Sequence, residues 1–484
     1  MSRRRRHFDV VELYARPSES DNDGNDTLAD LINSKQAINV VEVNKSGQDE
    51  KRWRHISAHA VSRVRDEKRG YHLLNILGGW HKSLLSALLP VGYPGSVSDD
   101  YLAYQTYDSL QAFFSTITSL LANRALLKGL GVGDADSSAT YALLLTIFKD
   151  AVSRIATIVF AHRFGLVIEP EAKRYRFLAD LLNDTAFFIE LYSPYFVSWT
   201  KVLALCTAEA LRAICGVAAG ASKAALSLHF AKQDNLSELN AKEASQETAV
   251  GLVGLLVGTL VVRVVQNHDT VVYLMIALVL AHLLINYYGV RCVNMVTLNK
   301  QRATIIFNSY KTSKTVLTPV QVAERESILF WDDVICNGNK QPVCQIDFAQ
   351  SYADAMSAAN MGQPAMAVDG PMHTRFVSPL VPGNIAKIKI LLWEGAEAKH
   401  AILAWFEAID TAWSMEKDVP YGDAKEPGKD SLKTIRTAGT SAADHELWDK
   451  LQKLGWNLET GALETGVGTR LRSAKVERTL GDVE

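Results

Sequence analysis

Gly216-Val-Ala-Ala-Gly220-Ala-Ser222 is followed by the polar segment His229-Phe-Ala-Lys232-Gln-Asp-Asn235 and then by Ala241-Lys242-Glu-Ala-Ser245-Gln246-Glu247-Thr248. Two apolar runs come next, Ala249 to Val265 and Thr270 to Val290. Each run is about long enough to cross the hydrocarbon core of a bilayer. The alternative is a pair of buried helices in a large soluble bundle, but two such runs in succession favour the membrane. The loop between them, Gln266-Asn-His-Asp269, carries no Lys or Arg, whereas Arg291, Lys300, Arg302, Lys311 and Lys314 follow the second run. By the positive-inside tendency the loop is non-cytosolic and the chain after Arg291 is cytosolic. Gly216/Gly220 and Gly254/Gly258 are small-xxx-small pairs that let helices approach closely in lipid. Arg263, near the end of the first run, can snorkel to the interface.

Working outward, 484 residues suffice for two or three domains, and a formal net charge of -2 gives no global reason to bind nucleic acid. The charge is partitioned, lying mostly before Gly70 and after Val290, as expected of a membrane core with soluble ends. The five cysteines, Cys206, Cys215, Cys292, Cys336 and Cys344, lack paired spacing and argue against a secreted disulfide framework. Cys206 and Cys215 read as small buried packers. The twelve histidines show no metal-ligand spacing, so no structural zinc is expected. Arg3 to Arg6 are followed by Asp9, Glu12, Glu19, Asp21 and Asp23, and a cleaved targeting peptide is therefore not expected.

Along the chain, residues 1–36 read as a disordered polar tail. Residues 37–72 read as a small hairpin and linker, with Ala37 to Val43 and Arg52 to Ile56 as its strands. Residues 73–315 read as a helical, membrane-embedded core. Pro90-Val-Gly92-Tyr93-Pro94 breaks the chain, and a long helix runs from about Ser98 to Lys128. Gly129-Leu-Gly131-Val-Gly133-Asp134 reads as a helix break rather than a phosphate loop, because a helical pattern precedes it. Further helices cover Ala139 to Phe160, Glu169 to Tyr192 and Lys201 to Gly216. Residues 129–160 and 216–262 each run from a glycine-rich break to a polar pair in an apolar helix, which raises the possibility of an internal repeat. Residues 316–484 read as a cytosolic α+β domain. It has a helix from Thr318-Pro319 to about Trp331, a strand over Ala386 to Leu392, and an apolar helix stripe from Ile402 to Trp413. A polar linker from about Met415 to Ala443 leads to a last helix closed by Gly455. The fold class is mainly α: a multi-helix membrane-embedded bundle with a smaller α+β C-terminal domain.

Ionisable residues inside lipid are costly and usually functional. Asp100, Tyr104, Asp108 and Gln111 share one helix face, as do Arg176, Asp180 and Asp184. Asp150 and Arg154, four apart, can pair on one face. The candidate solute or proton-pathway residues are Asp100, Asp108, Asp150, Arg154, Asp180, Asp184, Gln246 and Glu247. The competing reading is that these charges pair with one another and hold the bundle together.

A series of short motifs resembles the root UVB sensitive (RUS) family. In the first half they are Gly92-Tyr93-Pro94, Ser96-Val97, Asp100-Tyr101, Gln105, Asp108, Leu110-Gln111-Ala112-Phe113 and Gly131-Val-Gly133-Asp134. Lys173-Arg-Tyr-Arg176, Ala179-Asp180, Asn183-Asp184, Glu190 and Ser193-Pro194 follow. Gly216-Val217-Ala218, His229-Phe-Ala231, Asn235, Ala241-Lys242 and Ser245-Gln246-Glu247-Thr248 complete the series. The resemblance covers residues from about 40 to 330 and implies an integral membrane protein without an established activity or catalytic residues. It also implies association, in plant relatives, with UV-B-sensitive root growth, early seedling development, auxin transport and vitamin B6 homeostasis.

The expected function is a multi-pass protein of an intracellular membrane that binds or transports a small polar solute. Its partners are the lipid bilayer and a family paralogue or a second copy, with no nucleic acid; no cofactor is assigned. The alternative is a non-transporting scaffold acting through partners of its C-terminal domain. An enzyme ranks last, because no nucleophile–base constellation, metal motif or phosphate loop is present.

Overall fold

The computed structural model describes residues 38–43, 49–57, 60–63, 87–129, 139–358, 366–368, 372–378, 385–415 and 442–472. The expected N-terminal tail, the glycine-rich stretch beyond Gly129 and most of the linker between Met415 and Ala443 lie outside them. The chain divides into two compact units between Val97 and Ser98. In the first, β1 (Ile38–Val43), β2 (Asp49–Ser57) and β3 (Ala60–Arg63) form an antiparallel meander, with Val40 opposite Trp53. It contains the expected hairpin and one further strand. The Pro90–Pro94 break is a turn in which Tyr93 N–H donates to Pro90 O at 3.2 Å and Gly92 takes the positive φ that favours glycine.

The second unit opens with six helices. They are α1 (Tyr101–Gly129), α2 (Ala139–Ile168), α3 (Ala172–Tyr192), α4 (Ser198–Phe230), α5 (Leu236–Val264) and α6 (His268–Arg291). Pro194 ends α3 in one 3-10 turn, since proline cannot continue the ladder. Among the described residues three helices, Trp199–Phe230, Leu236–Val264 and His268–Arg291, are long and apolar enough to cross a membrane. The first of these exceeds the two runs expected from the sequence.

The reason is that Gly216 and Gly220 do not break the chain. They lie inside α4, where Ala218, Ala219, Ala221, Ala224 and Ala225 supply strong helix propensity around them. The expected repeat loses its second glycine break with this correction: the described residues of 129–160 beyond Gly129 belong to α2, whereas 216–262 hold half of α4 and most of α5. The two small-residue pairs also differ. Gly254 and Gly258 face α1, where a Cβ on Gly254 would lie 3.0 Å from Thr116 Cβ and one on Gly258 would lie 2.5 Å from Leu120 Cδ1. Around Gly216 and Gly220 there is nothing within 4 Å.

Ile117, Leu121, Phe187, Leu191, Val271 and Met275 form the core shared by α1, α3 and α6. The outward faces are apolar as well: Leu252, Leu256 and Leu260 on α5, Tyr273, Leu280 and Leu284 on α6, and Leu143, Ile147 and Ile158 on α2 are exposed. Apolar faces of that extent are unusual on a soluble monomer.

α7 (Lys300–Ser313) joins the bundle to a mixed sheet. The sheet contains β4 (Val334–Cys336), β5 (Pro342–Phe348), β6 (Met366–Val368), β7 (His373–Val377) and β8 (Ala386–Trp393) in the order β4-β5-β8-β7-β6. β5 runs parallel to β8, and β9 (Arg470–Leu471) continues that edge by pairing parallel to Leu392 and Trp393. The helices here are α8 (Pro319–Ala323), α9 (Tyr352–Ala358), α10 (Ala398–Trp413) and α11 (Ala442–Lys453). Ile388 and Ile390 of β8, Trp405 and Ile409 of α10, Ile306 and Phe307 of α7 and Leu447 of α11 share one core. α8 has the expected cap, a reciprocal Thr318/Gln321 box, but it stops at Ala323 instead of reaching Trp331. Ending there lets Glu326 turn into a buried ion pair. The last helix closes as expected, with Gly455 at φ +87°.

Candidate functional site

Five polar pairs spaced three or four apart, one from each of five helices, point inward and meet in the bundle. α1 supplies Asp108 and Gln111, α3 supplies Arg176 and Asp180, α4 supplies Lys223 and Ser227, α5 supplies Glu243 and Glu247, and α6 supplies His282 and Asn286. Asp184, one turn beyond Asp180, joins them. Arg176 is the centre, with its guanidinium 2.8 Å from Asp108 Oδ1 and 3.0 Å from Asp180 Oδ2. Gln111 and Asn286 both donate side-chain amide hydrogen bonds to Asp180 Oδ2. His282 Nδ1 lies 2.7 Å from Asp184 Oδ2, and its Nε2 lies 3.9 Å from Asp180. On the other side, Lys223 Nζ contacts Glu247 and lies 3.9 Å from Asp108 Oδ2. The Ser227 hydroxyl donates to Glu243 Oε2 at 3.0 Å.

The carboxylates outnumber the cations, and three buried carboxylate oxygens, Asp108 Oδ2, Asp184 Oδ1 and Glu243 Oε1, have no hydrogen-bond partner. Buried polar atoms are normally satisfied, so each such oxygen retains the capacity to accept from a donor. Accessibility is graded. Asp108 is 3% exposed at its side chain, whereas Lys223 and Glu247 are 25% and 39% exposed.

Two further charge groups flank this cluster. At the start of α1, Asp100 accepts from His229 at 3.0 Å and from the Asn294 N–H at 2.7 Å, and Ser98 donates to it at 2.5 Å. Burial raises its carboxyl, but the hydrogen bond and charge of His229 and the other two donors prevail and hold it at about 2. Between bundle and sheet, Glu326 accepts from Lys173 Nζ at 2.7 Å and from Arg302 Nε at 2.9 Å.

Of the expected residues, Asp108, Asp180, Asp184 and Glu247 come together in the cluster. Asp100 belongs to the neighbouring His229 site, and Gln246 is buried on α5 beside Glu247. Asp150 and Arg154 lie apart from the cluster: both are exposed on the outer face of α2, and no ion pair joins them among the described residues. It is Lys149 that turns inward, to Glu209 at 3.2 Å. The sequence reading missed Lys223, Glu243, His282 and Asn286. Their signal was present as polar residues four apart, Lys223/Ser227, Glu243/Glu247 and His282/Asn286, in apolar surroundings.

A family model described as the vitamin B6 photo-protection and homoeostasis domain matches residues 77–314, a span containing every residue of the cluster. RUS family member 1 of Dictyostelium discoideum is 38% identical over 256 residues, 52% of this chain and 49% of that protein. Protein root UVB sensitive 3 of Arabidopsis thaliana is 29% identical over 384 residues, 78% of this chain and 84% of that protein. The chain belongs to the root UVB sensitive family. Protein root UVB sensitive 5 of Arabidopsis thaliana, 30% identical over 254 residues, is matched over 50% of its own length. The chain thus spans about half the length of two of these RUS relatives. No solved structure matches it. The RUS resemblance seen in the motifs is confirmed, and six residues of those motifs lie in the cluster: Asp108, Gln111, Arg176, Asp180, Asp184 and Glu247.

Proposed function

We propose that this chain is a multi-pass protein of an intracellular membrane, its C-terminal domain in the cytosol, whose charge cluster binds and passes a small polar solute. The observation that carries this reading is the cluster itself. Five helices turn polar and ionisable side chains inward around buried carboxylate oxygens that have no hydrogen-bond partner, and three of those helices have the length and composition to cross a bilayer. Charges placed so deep in lipid are costly enough to be retained chiefly for function. The same cost bears on Asp150 and Arg154, which face outward from α2 among Ile147, Ile155 and Ile158. A second copy or a paralogue packed there would cover them.

Alkaline carbonate extraction of isolated membranes, with protease mapping of both termini, tests the membrane placement; release into the supernatant overturns it. Uptake by proteoliposomes tests transport, and vitamin B6 vitamers are the first solutes to try because the family model's description names that vitamin. Asp108→Asn and Asp180→Asn variants are expected to lose uptake at least tenfold while remaining membrane-integrated.

The scaffold reading has one observation in its favour, the buried Lys173–Glu326–Arg302 joint that fixes α3 to the C-terminal domain. Activity that survives neutralising Asp108 and Asp180 but is lost on removing residues after 315 would select it.

A further inference from the structure

The identity of the solute's charged group can be read from the residue that lies across the cluster. Lys223 reaches in from α4, seven residues before the helix ends, so it sits about 10 Å along the axis from that end. Its ammonium faces three carboxylates: Glu247, which it contacts, Asp108, whose Oδ2 is 3.9 Å away, and Glu243, on which its charge acts. Asp108 gives its other oxygen to Arg176 at 2.8 Å and to the Tyr104 hydroxyl at 3.5 Å, and Glu243 gives its other oxygen to Ser227. The oxygens left over, Asp108 Oδ2 and Glu243 Oε1, belong to side chains that are 4% and 1% exposed, and neither makes a hydrogen bond.

A structural salt bridge would have satisfied those oxygens. Here the lysine contacts the half-exposed Glu247 and stays 3.9 Å from Asp108 Oδ2, beyond hydrogen-bond reach. An ammonium head has three donors on a compact charge, which suits three separate carboxylates better than a planar guanidinium does. We infer that Asp108, Glu243 and Glu247 form a recognition site for a primary ammonium group, and that Lys223 is its tethered resident, displaced when a solute amine enters. This rests on the solute-site reading above and names the class of solute.

The test is equilibrium binding of radiolabelled methylammonium to the purified full-length protein in detergent micelles. Saturable binding to the wild-type chain is expected. Glu243→Gln should abolish it, and Lys223→Met should tighten it at least tenfold by removing the competitor. Asp108→Asn replaces Glu243→Gln if that variant does not elute as the wild type does on gel filtration. The inference is overturned if the wild type shows no saturable binding, or if binding arises only after Lys223 is removed, since that would be a vacancy made by the substitution. It is also overturned if sodium displaces the label as well as unlabelled methylammonium does, which would make this a site for alkali cations. Failure is separable from that of the transport reading: binding without uptake sinks transport alone, and uptake that persists in Glu243→Gln sinks the ammonium site alone.

Discussion

Lys173 and Glu326 are 153 residues apart in sequence, yet they share a buried ion pair of 2.7 Å at the seam between helical bundle and sheet. Arg302 completes the group from α7, and Asn299 ties the same seam to the start of α3 through Pro170 O at 3.2 Å and Glu171 at 3.0 Å. Burial pulls the Lys173 ammonium down and the Glu326 carboxylate opposes that, while the charges of Arg302 and Lys173 hold Glu326 below its ordinary range against its own burial. Removing the carboxylate leaves two buried cations facing each other. Glu326→Ala should cost about 3–5 kcal/mol of stability, read as a shift in the denaturation midpoint. A change of under about 1 kcal/mol, the range of an exposed pair, would show that water reaches the seam.

Asp100 sets an acid limit. Its carboxyl is at about 2 in the fold against an ordinary 3.8, so the folded state binds this proton less readily than the unfolded chain. The stabilisation is complete above about pH 4 and is lost as pH falls through about 2, a total of about 2 kcal/mol. Thermal unfolding of wild type and Asp100→Asn should therefore converge between pH 4 and pH 2. Parallel curves would assign the acid sensitivity to other groups.

The small-residue pairs are expected to respond oppositely to alanine. Gly254→Ala forces a Cβ to 3.0 Å from Thr116 Cβ and 3.3 Å from the Phe113 carbonyl, neither of which can turn aside. Gly258→Ala crowds the end of Leu120, which can rotate, and touches Ile117 at an ordinary 3.5 Å, while Gly216→Ala meets nothing within 4 Å. Melting temperatures should rank Gly216→Ala above wild type, reflecting a propensity gain of about 1 kcal/mol, with Gly254→Ala lowest. A destabilised Gly216→Ala would mean that another chain packs on that face of α4.

The cysteines report on the C-terminal domain. Cys344 lies in the sheet core with its thiol pushed up to about 12 by burial, while Cys336 is exposed at the edge strand. Maleimide at pH 7 should modify Cys336 within minutes and Cys344 only on unfolding. Equal rates would show the sheet open in solution.

Much of this arrangement was legible in the sequence wherever one helix carries the information. Asp108 and Gln111 on one face, Arg176, Asp180 and Asp184 on another, and the Gly254/Gly258 approach all follow from a period of 3.6 residues. Periodicity does not say which faces meet. Arg176 finds Asp108 across 68 residues and Asn286 finds Asp180 across 106, so the cluster's wiring is a tertiary fact. Asp150 and Arg154 share a helical face as expected, but α2 directs that face outward. Gly216 was misread because glycine was weighed alone, without the alanines that keep α4 helical. The end of α8 was set by the demand of Arg302 and Lys173 for Glu326, which no local pattern announces.

The edge of the sheet carries a consequence for synthesis. β8 ends at Trp393, but the segment that completes its edge, β9, is Arg470–Leu471. Trp456, whose indole N–H donates to Leu317 O at 2.9 Å, also comes from this late stretch. At roughly 5–20 residues per second, the ribosome supplies β9 about 4–15 s after β8. During that interval α1 to α6 already have all their partners, while the sheet has an open edge. The helical bundle can therefore pack before the domain beyond it closes, which leaves the incomplete sheet to be shielded in the meantime.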